Sequence, residues 1–264
     1  MLLDQRTALA PARGLWFADL GRGVREVRRA LFALLHHRTF VGQLRLPAWA
    51  NAIACSLLGA LVYFVLWPWF QAAFTATWWF GDGWRASQAS RGAVLWVVTT
   101  WLVLGPPLLE LLAGALQEGL HDAAERAMLG EGSSTAGSAP RGAVARLRDR
   151  AQVAAAALLL WPVALLLVLL PWVGLPMVVL LGSAIAAAVW FELPMARRGL
   201  DLRQRLTLLW RNRWRALGVG AGVQLAAGVP FLNLLGLAPV ATVAACSAFL
   251  QFEKRRPQST GMAP

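Results

Sequence analysis

Two glutamates stand inside or at the end of apolar runs, and acids so placed are the first residues here that could do chemistry. Glu110 falls within GPPLLELLAG (Gly105 to Gly114), and Glu192 follows the apolar run that ends at Phe191. A charge at the centre of a bilayer costs about 2.5–3.5 kcal/mol even on insertion scales, so an acid kept there lines an ion path, pairs with an arginine, or reaches the interface beyond a kink. These readings stay open for Glu110. For Glu192, with Arg197 and Arg198 just downstream, the expectation is a boundary ion pair. Asn51 and Asn233 are amides in comparable surroundings, suited to hydrogen bonds between helices, and Asn233 also suits a helix cap after the turn at Pro230. His36 and His37 lie among arginines, far from His121 in sequence, so the histidines form no metal set. Cys55 and Cys246 each sit in an apolar stretch, where a free thiol packs as a small hydrophobe, and neither a disulfide nor a cofactor is expected.

Enzyme signatures are missing. The sequence has no Walker-type phosphate loop, no Gly-x-Ser-x-Gly and no His-Glu-x-x-His, and its only carboxylate cluster is the acidic face of 118–125. The chain is expected not to be an enzyme.

The elements that position these residues are set by hydropathy. Of 264 residues 58% are hydrophobic and 14% charged, against roughly 25% charged in soluble domains, and mean hydropathy is +0.55. An integral membrane protein is the class that fits. Pro47 to Trp67 is an apolar run about one bilayer long, closed by Trp67-Pro68-Trp69. A tryptophan-rich stretch to Gly92 suits the far interface, and a second span runs from Ala93 to about Leu112, with a kink expected at Gly105-Pro106-Pro107 and an amphipathic continuation through Ala127. Residues 14–35 alternate apolar groups with Arg22, Arg25, Arg28 and Arg29, as a basic helix at the membrane interface does. The glycine- and serine-rich stretch 130–142 reads as a flexible linker.

Two apolar pairs follow. Val153 to Leu170 and Gly174 to Phe191 join through Pro171-Trp172-Val173; Leu217 to Val229 and Leu234 to Phe252 join around Pro230. Leu217 to Phe252 holds no charged side chain, yet its first limb reaches only about 20 Å against a hydrocarbon core of roughly 30 Å. A hairpin dipping partway into the membrane is the expectation. Whether the 153–191 pair crosses fully stays open, since its limbs sit at the lower edge of spanning length.

Charge is one-sided. Of the 25 Lys and Arg residues behind the net charge of +12, 23 lie outside the tryptophan-rich loop, which places both termini in the cytoplasm by the positive-inside rule. That pattern accounts for the charge without nucleic acid, for which no recognisable motif is present. Without a signal peptide, insertion should rest on internal spans.

With these landmarks the chain resembles the CysZ-like sulfate permeases and the related etoposide-induced membrane proteins, from roughly Arg28 to Arg255. LPAWAN (Leu46 to Asn51) is similar to the family's Leu-Pro-x-x-x-Asn; GPPLLELLAG and FELP (Phe191 to Pro194) match two further segments, and VPFLNLLGLAPVA (Val229 to Ala241) resembles its Ile/Val-Pro-x-x-Asn with a following Pro-Val-Ala. The resemblance implies an all-α integral membrane protein with two long transmembrane helices, two partly penetrating apolar helical hairpins and an N-terminal interfacial amphipathic helix, forming a single membrane domain over 1–264. It implies a homo-oligomer in the inner membrane, a channel or permease for sulfate or another small oxyanion. The alternative is a non-transporting scaffold that organises membrane or protein partners, because the family's Gly-Leu/Ile-Arg-Arg run is replaced by Thr39, Phe40, Val41 and Gly42. Arg38 and Arg45 flank the altered run, and Gly42 permits close backbone approach. These three form the candidate anion site, against the reading of Arg45 as a topology anchor snorkelling to the interface.

Overall fold

Between the arginine clusters alanine and leucine dominate, and there the chain is helical. The computed structural model describes residues 16–36, 38–76, 82–129, 143–168, 170, 172–229, 232–233 and 236–254. In order these form α1 (Trp16–His36), α2 (Arg38–Leu61), a π turn (Val62–Leu66), α3 (Trp67–Ala76), α4 (Asp82–Ala113), a 3-10 turn (Gly114–Gln117) and α5 (Glu118–Leu129). There follow α6 (Ala143–Leu167), α7 (Gly174–Arg197), α8 (Leu202–Arg211), α9 (Arg213–Ala227) and α10 (Leu237–Lys254). No strand occurs among the described residues. The linker at 130–142, Pro171, Pro230 and most of the tryptophan-rich loop tip lie outside them.

Four segments are long and apolar enough to cross a membrane: Leu44–Ala73, Arg91–Leu111, Arg150–Leu167 and Gly174–Arg197. The chain is an all-α, multi-pass membrane protein. Both limbs of the first hairpin therefore meet the spanning length that their composition left open. The second hairpin differs. Its α9 has 15 residues, about 22 Å of helix, short of the roughly 30 Å needed.

One boundary departs from expectation. The first span was expected to open at Pro47, but α2 begins at Arg38 and carries Pro47 in its interior. Hydropathy marks where a helix meets hydrocarbon, whereas backbone hydrogen bonding carries it further. Pro106 and Pro107 lie inside α4, which continues to Ala113 before the 3-10 turn that opens at Gly114. A proline at 106 cannot donate to the carbonyl four residues back, that of Leu102. Gln224 Nε2 from α9 donates to that carbonyl at 2.7 Å, so the freed acceptor is satisfied by a neighbour and the helix survives.

α10 is the axis of the bundle. Ala238, Ala241, Ala244, Ala245 and Ala248 are fully buried, and α1, α2, α5, α7 and α9 pack around it. The missing charge along its length is thus explained by burial in protein. α9 lies between α1 and α7 with glycine on both faces. A Cβ at Gly218 would stand 2.1 Å from Leu20 O on α1, and one at Gly220 would stand 2.0 Å from Ser183 O on α7. Such contacts let backbones approach as side chains would forbid. α1 keeps step with α9, Trp16 beside Trp214 with ring centroids 5.2 Å apart and Val27 beside Gly222. The basic amphipathic helix therefore packs lengthwise on a partner, with its arginines outward.

Candidate functional site

Where the second hairpin turns, it meets the first long helix. Asn51 Nδ2 on α2 donates to Asn233 O at 2.7 Å, and the Cys55 thiol, one turn along, donates to the same carbonyl at 3.3 Å. Asn51 and Asn233, 182 positions apart, are thus brought together as an inter-helix tie. Beside this tie opens a cavity of about 510 Å³ between α2, α4 and α9. Gly59, Val98 and Trp101 supply apolar wall; Cys55, Gln224 and Asn233 supply dipoles. Gln224, buried, also donates to Gly182 O at 3.3 Å, which ties α9 to α4 and α7 at the depth of the cavity. The wall is mainly apolar, and its few polar groups are engaged across helices, the Cys55 thiol with Asn233 O and the Gln224 amide with Leu102 O and Gly182 O.

The arginine-rich end of the bundle is closed by buried ion pairs. Arg150 Nε stands 3.3 Å from Glu110 Oε1 and 3.7 Å from Glu192 Oε2, and Arg205 Nη1 stands 3.5 Å from Glu192 Oε1. All four residues are less than a tenth exposed. The two glutamates singled out in the sequence are joined, but through Arg150 and Arg205; Glu192 does not take the expected Arg197 or Arg198. Helix direction explains this: those two arginines follow on the next turn of α7 and face α5. Arg197 pairs with Asp122 and stands 3.2 Å from His121 Nδ1, while Arg198 holds Glu125 at 2.8 Å and Glu253 at 2.8 Å. Burial first, then the Arg197 guanidinium, push the His121 pKa from the usual 6.5 down to about 4.

A second buried cluster centres on Glu26. Its carboxylate accepts from Arg215 Nη2 at 2.9 Å, Ser247 Oγ at 2.9 Å and Gln251 Nε2 at 3.2 Å, so one acid joins α1, α9 and α10. Among hydroxyls, Thr242 donates to Gln117 Oε1, both buried, tying α10 to the 3-10 turn.

Of the candidate anion residues, Arg38 and Gly42 fall in the opening turns of α2, with side-chain surroundings outside the described residues, and Arg45 is exposed on the same helix. They share that helix with Asn51 rather than a loop of their own. Sequence reasoning missed Glu26, Arg150, Arg205, Arg215 and Gln224. A signal existed for Glu26, which falls on the buried stripe Gly23, Val27, Ala30, Leu34 while the arginines of α1 point elsewhere. Arg150 opens the apolar run of α6 and carries the same mark as Arg45.

A comparison with curated proteins gives no match. The family model described as sulfate transporter CysZ/etoposide-induced protein 2.4 matches residues 27–237, a stretch that takes in the α2 tie, the cavity and the Glu110–Arg150–Glu192 cluster. The chain belongs to the sulfate transporter CysZ/etoposide-induced protein 2.4 family.

Proposed function

We propose that the chain is a channel or permease that carries sulfate or a related small oxyanion across the cell inner membrane, with both termini cytoplasmic. The observation that carries this is the chamber of about 510 Å³ set where the short hairpin turns against the two long helices. Interrupted helices present backbone and amide dipoles to a solute at membrane depth without an unpaired buried charge. At the arginine-rich end Arg45, with Arg38 and Gly42 a turn or two earlier on α2, is the first cationic station for an incoming anion. Cys55, Gln224 and Asn233 supply the polar groups of the wall deeper in, with Asn51 holding Asn233 in place. Glu110 and Glu192, with Arg150 and Arg205, close the helix ends around it. The whole chain works as one membrane domain, with 130–142 as a cytoplasmic linker, in the lipid bilayer. A second copy of the chain completes the open side of the chamber.

The test is sulfate uptake into liposomes by wild type, Arg45→Ala and Gly59→Leu. A Cβ at Gly59 meets nothing within 4 Å, so leucine there fills the chamber without disturbing the backbone. Uptake by wild type with a loss of most of the rate in both variants is expected. No uptake above empty liposomes, together with no sulfate binding by calorimetry, sinks the reading.

A second reading, a scaffold that transports nothing, is favoured by the Thr39-Phe40-Val41-Gly42 replacement. It predicts the null result in the same assay.

A further inference from the structure

α1 carries a row of outward arginines, and they are not equivalent. Arg22 pairs with Asp19 at 2.8 Å, Arg29 reaches Glu26 at 3.5 Å, and Arg25 Nε donates to Gly21 O at 3.3 Å. Arg28, exposed, makes no hydrogen bond or ion pair with any described residue. It stands at the edge of a partly open cavity of about 260 Å³ between α1, α9 and α10. The rest of that wall is apolar: Val24, Leu31, Leu225, Leu232 and Leu237 face the space.

The order of chemistry along this groove is set by the way α1 keeps step with α9. Arg28 lies one residue past Val27, which meets Gly222. Beyond that level α9 passes to its exposed apolar end, with Leu225 69% and Val229 47% exposed. A cation is therefore followed, toward the hairpin tip, by apolar groove and apolar surface. A free oxyanion would match the cation and leave the groove empty. A zwitterionic lipid would fill the groove and bring its own cation to Arg28. One class of molecule satisfies both parts.

We propose that this groove holds one anionic phospholipid, its phosphate on Arg28 and an acyl chain along Leu31, Leu225 and Leu237. The site is separate from the chamber between α2 and α4 and does not depend on what that chamber carries.

Detergent-purified protein is incubated with vesicles containing equal phosphatidylglycerol and phosphatidylcholine, repurified, and its retained lipid quantified by mass spectrometry after extraction. Wild type is expected to retain phosphatidylglycerol about fivefold over phosphatidylcholine, the ratio that one basic group near an anionic surface supports. Arg28→Gln abolishes the preference, Arg28→Lys keeps it, and Arg25→Gln on the same helix leaves it unchanged. Gly236→Phe lowers total retained lipid. A Cβ there meets only Leu232 O at 3.6 Å and Leu232 Cδ2 at 3.9 Å, so the backbone admits a ring that fills the groove. Equal retention of both lipids by wild type, a preference that survives Arg28→Gln, or an equal loss in Arg25→Gln overturns the proposal. Displacement of the lipid by millimolar inorganic phosphate also overturns it, by making Arg28 a site for a free oxyanion. Thermal midpoints of all variants, followed by tryptophan fluorescence, separate lipid loss from misfolding.

Discussion

Replacing Arg150 with methionine removes the guanidinium that stands between two buried carboxylates while keeping most of the side-chain volume. Glu192 retains Arg205, whose Nη1 is 3.5 Å away. Glu110, 4% exposed, has no other cation within ion-pair distance among the described residues. The variant therefore leaves one buried acid uncompensated, which costs about 3–5 kcal/mol. At about 2–4 °C per kcal/mol for a chain of this size, the thermal midpoint in detergent falls by on the order of 6–20 °C. Glu110→Gln in the Arg150→Met background removes the stranded charge and should restore more than half of the loss. The resulting cycle then gives a coupling energy of about 1.5–3 kcal/mol between residues in direct contact. The assay is tryptophan-fluorescence unfolding of the four proteins under one detergent condition. A single variant within about 1 kcal/mol of wild type, or a double variant whose loss is the sum of the singles, refutes the idea that Arg150 compensates Glu110.

Alanine at Gly218 would drive its Cβ against Leu20 O at 2.1 Å, whereas alanine at Gly21 meets nothing within 4 Å. Gly218→Ala should cost about 1–3 kcal/mol through forced separation of α1 from α9, and Gly21→Ala should be neutral or gain up to about 1 kcal/mol of helix propensity; equal midpoints for the two would contradict the glycine contact. Because the His121 pKa in the fold is lowered to about 4 from 6.5, the unfolded chain binds the extra proton between those values. Stability from this group is complete above pH 6.5 and is lost as pH falls toward 4, by about 3 kcal/mol at ~1.4 kcal/mol per unit. Midpoints measured from about pH 7.5 to about pH 4.5 should fall less steeply in His121→Phe, and parallel slopes would remove His121 from the account. Reporter fusions at Asp82 and at Gly137 should report opposite sides of the membrane; the same side for both would overturn the two long spans on which the topology rests.

Hydropathy made the long helices and the short hairpin legible, since the length of an uncharged run maps directly onto helix reach. It could not separate an apolar helix wrapped in lipid from one wrapped in protein, and α10 is the case: the same alanines and valines that read as membrane-dipping are the centre of the bundle. Pro106 stood out as a helix disturbance, but the sequence could not show that Gln224, 122 positions from Leu102, takes the carbonyl of Leu102 that the proline leaves unpaired. The ionic clusters were half visible. Glu110 and Glu192 stood out because acids are scarce in apolar runs. Their partners Arg150 and Arg205 were two among many arginines, and only the packing of α6 and α8 against the ends of α4 and α7 selects them. Asn51 and Asn233 were marked as polar residues in apolar helices, but their pairing is a fact of tertiary contact.

The Glu26 cluster also imposes a timetable on the protein's manufacture. Glu26 leaves the ribosome 189 residues before Arg215 and 221 before Ser247. At the usual 5–20 residues per second the wait is about 10–40 s. Through that interval α1 is a finished amphipathic helix whose buried-to-be carboxylate has neither its guanidinium nor its hydroxyl, and whose glycine face has no α9 to rest against. α1 thus waits for partners made near the end of the described chain, so a chain released upstream of Arg213 leaves its basic helix without α9.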